Sequence, residues 1–376
     1  MSLFLTVFFT LYAGAHCYAF IKARAAFAFG TAAGVVLALF MLAMLFMPFI
    51  IHYLEKYGFD AFARPAAFTG YIWMGVLFLF CSVAVPVDCY RTAVHAAGFV
   101  FGKNLSHISL SDYRLFMVAL VFALSAASYG YFEAQNILTE RLVIKTPKIS
   151  RETGRIRIVQ ISDVHLGLIV REERLKRILA AVKNAGPDIL VSTGDLVDGE
   201  ISRQNGLSSL IKEIAPRYGK FAITGNHEYY AGIEQSLNFT REAGFTILDG
   251  SAVSGPITIA GVDDPAAKAF GLSSTSTERT LLQSLPRDKF TLLLKHRPLV
   301  DKESLGLFDL QLSGHVHKGQ ICPFGILTKL YYPVYTGYKK LQGNAHLYVS
   351  RGSGTWGPPI RFLAPPEVTV IDLVPE

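Results

Sequence analysis

The 376-residue chain is expected to fold as an all-α membrane region over residues 1–134, a polar, basic linker over 135–155, and an α/β layered domain over 156–376. Three observations predict this. Charge is segregated, because residues 1–134 hold 12 of the 65 Asp, Glu, Lys and Arg residues and the remaining 242 hold 53. Four runs in the first region carry no formal charge. After residue 155, short β-branched segments alternate with helical periodicity, the pattern of a layered domain with parallel or mixed sheet.

The uncharged runs are Ser2–Ile21, Ala25–Ile51, Pro65–Val87 and Leu115–Phe132. Crossing the hydrocarbon core takes roughly 20 apolar residues as a helix, and helices satisfy their own backbone in lipid. Four spans are therefore expected, at about 2–21, 27–51, 65–87 and 115–132, with Tyr53, Tyr71 and Trp73 suited to the interfacial belt. The first run has no basic segment before it and no small-residue cleavage pattern, so it reads as a retained helix rather than a signal peptide. Four spans put both ends on one side. Arg141, Lys145, Lys148, Arg151, Arg155 and Arg157, with Lys56 and Arg64, narrowly outnumber Lys22, Arg24, Arg91, Lys103 and Arg114 on the other face. That places the second half in the cytoplasm, on a plasma (inner) membrane crossed several times. Cys17, Cys81 and Cys89 lie in or beside the spans and Cys322 stands alone, so the second half has no internal disulfide, which fits a reducing compartment. The net charge of +7 suits contact with the headgroups of a lipid bilayer. No nucleic acid is expected as a partner, since no dense basic patch or binding module is visible.

In the second half, Ile156–Ile161 reads as a strand. Arg171–Ala185 reads as an amphipathic helix, with Leu175, Ile178, Leu179 and Val182 at helical spacing. Asp188–Ser192, Phe221–Thr224, Ile257–Val262, Phe290–Leu294 and Val368–Leu373 read as further strands. Residues 199–206 and 271–286, rich in Ser, Thr and Gly, read as mobile loops. No repeat of fixed period occurs.

Five polar motifs each follow an apolar segment: Asp163-Val164-His165, Gly194-Asp195-Leu196-Val197-Asp198, Gly225-Asn226-His227-Glu228, Lys295-His296-Arg297-Pro298 and Gly314-His315-Val316-His317. Ligands collect at the carboxyl ends of strands in α/β sheets, so the five turns are expected to share one crevice. Two acids, an amide and several imidazoles suit a pair of divalent metal ions. Asp195, with two oxygens, is the natural bridge, and the donor mix favours manganese, with iron or zinc as alternatives, over magnesium. Two such ions roughly 3.5–4 Å apart hold a hydroxide between them and clamp phosphate oxygens.

The five motifs in this order resemble the calcineurin-like metallophosphoesterase superfamily over about residues 156–376. Gly261-Val262-Asp263-Asp264 and Arg351-Gly352-Ser353-Gly354 are similar to its membrane-associated YkuE-type subgroup, which includes the vertebrate transmembrane protein with metallophosphoesterase domain and the UDP-2,3-diacylglucosamine hydrolases of lipid A synthesis. The resemblance implies a four-layer αββα sandwich and hydrolysis of a phosphodiester or pyrophosphate bond, here in a phosphorylated, amphiphilic, lipid-linked substrate such as UDP-2,3-diacylglucosamine. It implies one metal on Asp163, His165, Asp195 and His317, and a second on Asp195, Asn226, His296 and His315. His227 would stabilise developing charge or protonate the leaving oxygen. Lys318 departs from the small residue usual at that position and is a candidate for contact with a substrate phosphate. Asp198 and Glu228 are expected to orient ligands. Asp263 and Asp264 are expected in a turn, and Leu330–Tyr338 is expected against the sheet or at the pocket rim, with contact to lipid or substrate acyl chains as the alternative. His16, His52, His95, His107 and His346 match no motif and are expected to be structural. The alternative is a catalytically idle membrane scaffold on the same fold, against which every ligand position is filled.

Overall fold

Residues 3–201, 206–272 and 277–376 are described in the computed structural model. They divide into two units, one reaching to Tyr131 and including Gly357–Ile360, the other holding Phe132–Trp356 and Arg361–Glu376.

The first unit is helical: α1 (Leu3–Phe27), α2 (Thr31–Lys56), α3 (Asp60–Phe101) and α4 (Asp112–Glu133). Among the described residues, α2, α3 and α4 are long and apolar enough to cross a membrane. The helices outrun the uncharged segments, most clearly α3, which is 42 residues long. A charge ends an apolar run but not a helix, provided it finds a partner. Asp88 of α3 accepts from the Tyr18 hydroxyl at 2.7 Å and meets Lys22 at 2.5 Å and Arg91 at 3.3 Å, and Arg91 reaches Asp112 at 2.7 Å. Small residues let the backbones approach, with Ala63, Ala67, Ala84, Ala119 and Ala123 fully buried.

The second unit contains the strands β1 (Leu138–Thr146), β2 (Ile156–Ile161), β3 (Leu166–Gly167), β4 (Ile189–Ser192), β5 (Val197–Asp198), β6 (Lys220–Ala222), β7 (Thr246–Ile247), β8 (Ser251–Ser254), β9 (Thr258–Gly261), β10 (Thr291–Leu294), β11 (Leu310–Ser313), β12 (Gly337–Lys340), β13 (His346–Val349) and β14 (Glu367–Pro375). Its helices are α5 (Glu172–Ala185), α6 (Leu207–Lys212), α7 (Asn226–Ala231), α8 (Ile233–Glu242), α9 (Ala266–Ala269), α10 (Glu278–Gln283) and α11 (Gly325–Tyr331). One six-stranded sheet has the order β1-β14-β2-β4-β6-β7 and the other the order β12-β13-β11-β10-β9-β8. In the first, β2, β4, β6 and β7 run parallel. In the second, β9, β10, β11 and β13 do.

Period-two alternation sorts the faces. Ile156 and Ile158 of β2 join Ile189, Val191, Ile259, Leu292 and Leu312 in a core shared by both sheets. Val159 and Ile161 face the other way, onto Leu175, Ile178 and Val182 of α5 and Phe239 of α8. On the far side of the second sheet, Leu293 and Ala260 pack against Leu282 of α10. The result is the expected four-layer αββα sandwich. Each fully buried Ile or Leu contributes about 1.5–3 kcal/mol.

Two expectations are corrected. The segment read as a linker over 135–155 contains β1, which pairs in parallel with all nine residues of β14. Arg141 and Lys145 lie on the exposed face, while Leu138, Leu142 and Ile144 turn inward. The segment 271–286, read as a loop, contains α10, whose N-terminus is capped by the Thr277 hydroxyl accepting from Thr280 N. Residues 273–276, and residues 202–205 of the other expected loop, lie outside the described residues.

Candidate metal centre

Five strands end at one edge of the sandwich, and each feeds a turn: β2 into Asp163, β4 into Asp195, β6 into Asn226, β10 into His296 and β11 into His315. The turns are tight. Asp163, His165, Asp195, His315 and His317 all take positive φ, between 47° and 73°. Left-handed backbone costs an L-residue roughly 1–2 kcal/mol, and such strain persists where the surroundings over-determine it, often at functional sites. Gly314 is required by close approach, since a Cβ there would collide with Ser162 Oγ and Asp163 Oδ2.

Asp163, His165, Asp195, Asn226, His296 and His317 are buried, and His315 is half-buried. Their donor atoms face one another. His165 Nε2 lies 3.1 Å from His317 Nε2, and His317 Nε2 lies 3.6 Å from Asp163 Oδ1. His296 Nε2 is 3.1 Å from Asp195 Oδ2, 3.3 Å from Asn226 Oδ1 and 3.2 Å from His315 Nδ1. Two groups of potential ligands result, Asp163–His165–His317 and Asp195–His296–His315. His165 Nε2 stands 3.8 Å from Asp195 Oδ2, which links them.

Electrostatics favour cations here. Burial lowers His165 to about 4 and His315 to about 3, and burial together with the Arg361 guanidinium holds His317 well below its usual value. Neutral imidazoles are the form that binds metal. Burial raises Asp163 to about 6. Burial opposes charge on both Asp195 and His296, but their mutual attraction outweighs it, depressing Asp195 and raising His296 to about 10. A proton on His296 therefore does what a metal ion would do in the same place. Lone pairs at hydrogen-bond distance from other lone pairs fit a divalent cation, so the residues present suit the group.

Backbone donors orient the acids. His315 N donates to both Asp163 oxygens (2.9 and 3.0 Å), as does Ser162 Oγ to Oδ2 (2.5 Å). His227 N donates to Asp195 Oδ1 at 2.8 Å. His296 Nδ1 lies 2.8 Å from the Thr193 carbonyl and donates to it, turning Nε2 to the site. Glu228 clasps turns rather than ligand side chains. Its carboxylate accepts from Gly225 N (2.7 Å), Asp195 N (3.0 Å) and Leu196 N (2.7 Å). Glu228→Gln puts an N–H donor against one of these N–H groups. It is expected to cost about 1–3 kcal/mol, read as a lower melting temperature with weaker metal retention.

His227 also falls in a group with His165 and Asp195, but its Nδ1 is committed to Asp198 Oδ1 at 2.8 Å. Tyr230 and Trp356 meet its ring edge-on, with centroids 5.6 and 5.8 Å away. Lys318 follows the last imidazole, half-buried, with φ 53°. Asp264 is bound to Arg297 by two hydrogen bonds (2.7 and 2.8 Å) and does not reach the cluster. His16, His95 and His346 bond to Trp73, Arg91 O and Tyr338 respectively.

Arg361 was not anticipated. It is fully buried, donates to the carbonyls of His317 (3.0 Å), Arg351 (2.7 Å) and Gly354 (3.0 Å), and sets Nη2 2.8 Å from His317 Nδ1. The Arg351–Gly354 segment is strapped to the first ligand turn, with Ser353 N donating to Ser162 O (2.7 Å) and Gly354 N to Asp163 O (3.0 Å).

A family model described as calcineurin-like phosphoesterase matches residues 156–319. A metallophosphoesterase of Aquifex aeolicus is 38% identical over 257 residues, 68% of this chain and 98% of the relative. The chain belongs to the calcineurin-like metallophosphoesterases. Bacillus subtilis YkuE is 34% identical over 284 residues, covering 69% of the chain and 96% of YkuE. The zebrafish transmembrane protein with metallophosphoesterase domain is 29% identical over 322 residues, 80% of the chain and 74% of the relative. As a member of this family, the metallophosphoesterase is a metal-dependent phosphoester hydrolase that uses divalent ions, and its N-terminal helices associate it with a membrane.

Proposed function

We propose that this metallophosphoesterase is dinuclear and hydrolyses a phosphodiester or pyrophosphate bond in a lipid-linked substrate at a multi-pass membrane. The observation that carries the reading is the convergence of seven donor side chains at five strand ends, with lone pairs as close as 3.1 Å. Asp163, His165, Asp195 and His317 hold one ion; Asp195, Asn226, His296 and His315 hold the other. Nitrogen-rich donors favour manganese, then iron or zinc. When bound, the ions supply Lewis acidity to phosphoryl oxygens and lower the pKa of nearby water.

The protein's own part falls to His227 and the rim. Asp198 holds His227 Nδ1–H, which leaves Nε2–H to protonate the departing oxygen. Burial works against the imidazolium, but Asp195 and Asp198 outweigh it and raise His227 to about 9. The acid is therefore loaded at neutral pH and lost above about 9. kcat should fall as pH rises through that value, and this limb should be absent from His227→Gln. Trp356 and Tyr230 wall the ring, and Lys318 offers its ammonium to a substrate phosphate.

Three helices of membrane length among the described residues, where four spans were expected and one would suffice as an anchor, support an amphiphilic substrate. The Lys and Arg distribution supports a cytoplasmic catalytic unit at an inner membrane. UDP-2,3-diacylglucosamine is the first compound to test, beside a soluble bis-aryl phosphate, on the full chain in detergent with manganese. Turnover of both is expected, with kcat/KM for the lipid about tenfold or more higher. Equal values reject the lipid part, and no turnover of either rejects the hydrolase. No observation favours the idle-scaffold alternative.

A further inference from the structure

Helix α11 contains no buried residue, although four of its seven residues, Ile326, Leu327, Leu330 and Tyr331, are large and apolar. Phe324 just before it is 48% exposed, and Ile326, Leu327, Leu330 and Tyr331 are 67%, 58%, 79% and 68% exposed. Each such side chain left in water forgoes the stabilisation that burial would give, and a surface helix ordinarily hides its apolar stripe. The neighbouring charge has one sign. From Leu310 through Pro366 the sequence has no Asp or Glu, yet it holds Lys329, Lys339 and Lys340. Among the described residues no carboxylate pairs with these three lysines.

We propose that α11 is an interfacial segment that inserts Ile326, Leu327, Leu330 and Tyr331 into the surface of an anionic lipid bilayer, with Lys329, Lys339 and Lys340 meeting headgroups. Large apolar side chains beside lysines are the composition of a helix lying in that boundary, and anionic lipid attracts each nearby lysine. A bilayer is within the chain's reach. Three of its helices are of membrane length, and only residues 134–137 separate α4 from β1. The segment is also joined to the metal centre. Tyr332, the residue after α11, is buried and meets the His315 ring edge-on at 5.6 Å. An inserted α11 therefore brings headgroups to the rim of the centre. The surface is independent of which phosphoester the centre cleaves.

The test uses the full chain with Leu330→Trp in nanodiscs of phosphatidylglycerol bearing brominated acyl chains, with wild type subtracted to remove Trp73 and Trp356. The added emission should shift to the blue and be quenched about twofold or more. Quenching should weaken in phosphatidylcholine discs and in the Lys329→Gln/Lys339→Gln/Lys340→Gln variant. Emission quenched no more than that of an Arg241→Trp variant, at an exposed position, overturns the proposal. So does a blue shift without quenching accompanied by Leu330→Cys cross-linking into dimers, which assigns the surface to a second copy. Turnover of soluble bis-aryl phosphate by the same samples is expected to be unchanged, so failure of the lipid contact and failure of the hydrolase reading give different results.

Discussion

Asp195→Ala is expected to lose metal and activity together. Asp195 is the residue that the two proposed ligand sets share. One oxygen sits 3.1 Å from His296 Nε2, and the other is fixed by His227 N at 2.8 Å. Alanine removes the negative charge that keeps His296 charged in a fully buried position, and it removes the shared oxygen donor. Bound manganese should drop from two ions per chain to one or none, and kcat/KM should fall by about 10³-fold or more, at least the size of losing a principal electrostatic stabiliser. The two readouts must move together. Metal content at the wild-type level alongside lost activity would show that Asp195 acts in catalysis without holding metal. Far-ultraviolet circular dichroism on the same samples separates either outcome from unfolding.

His227→Ala should behave differently, keeping both ions and losing about 10²–10⁴-fold in kcat with little change in KM, the range for a positioned proton donor. The distinction rests on geometry. His165 and His317, His296 and His315 set a nitrogen 3.1–3.2 Å from a donor atom of another motif, whereas the close contact of His227 is Nδ1 with Asp198, at 2.8 Å. Removing the ring leaves Asp198, whose side chain is 35% exposed, open to solvent, so the cost to stability should be small. Asp198→Asn should give a milder loss and shift the alkaline limb of the pH profile downward, because one of the acids that raise His227 is gone. A His227→Ala protein that lost metal would instead make His227 a ligand.

The site was legible because its signals are local. Each turn places polar residues directly after an apolar strand, as at Ile161-Ser162-Asp163 and Leu312-Ser313-Gly314-His315, and strand ends converge in a layered α/β domain. What could not be read was set by partners distant in sequence. β1 looked like a charged connector because Arg141 and Lys145 dominate its composition. Its inward residues Leu138, Leu142 and Ile144 make sense only once β14 lies beside it. Arg361 carries no signal of its own after Pro358-Pro359-Ile360, and its role comes from carbonyls gathered from three other positions. The left-handed backbone at five candidate ligand residues is equally invisible, since Asp and His enter that region only when the surroundings hold them there. The ends of α3 were misplaced for a simpler reason, since charge marks where apolar composition stops and says nothing about where hydrogen bonding stops.

The most direct measurement is anomalous scattering from crystals of the full chain loaded with manganese. Two peaks are expected roughly 3.5–4 Å apart, both within bonding distance of Asp195, one also touching Asp163, His165 and His317 and the other Asn226, His296 and His315. A single peak, or two peaks that do not share Asp195, would contradict the dinuclear centre.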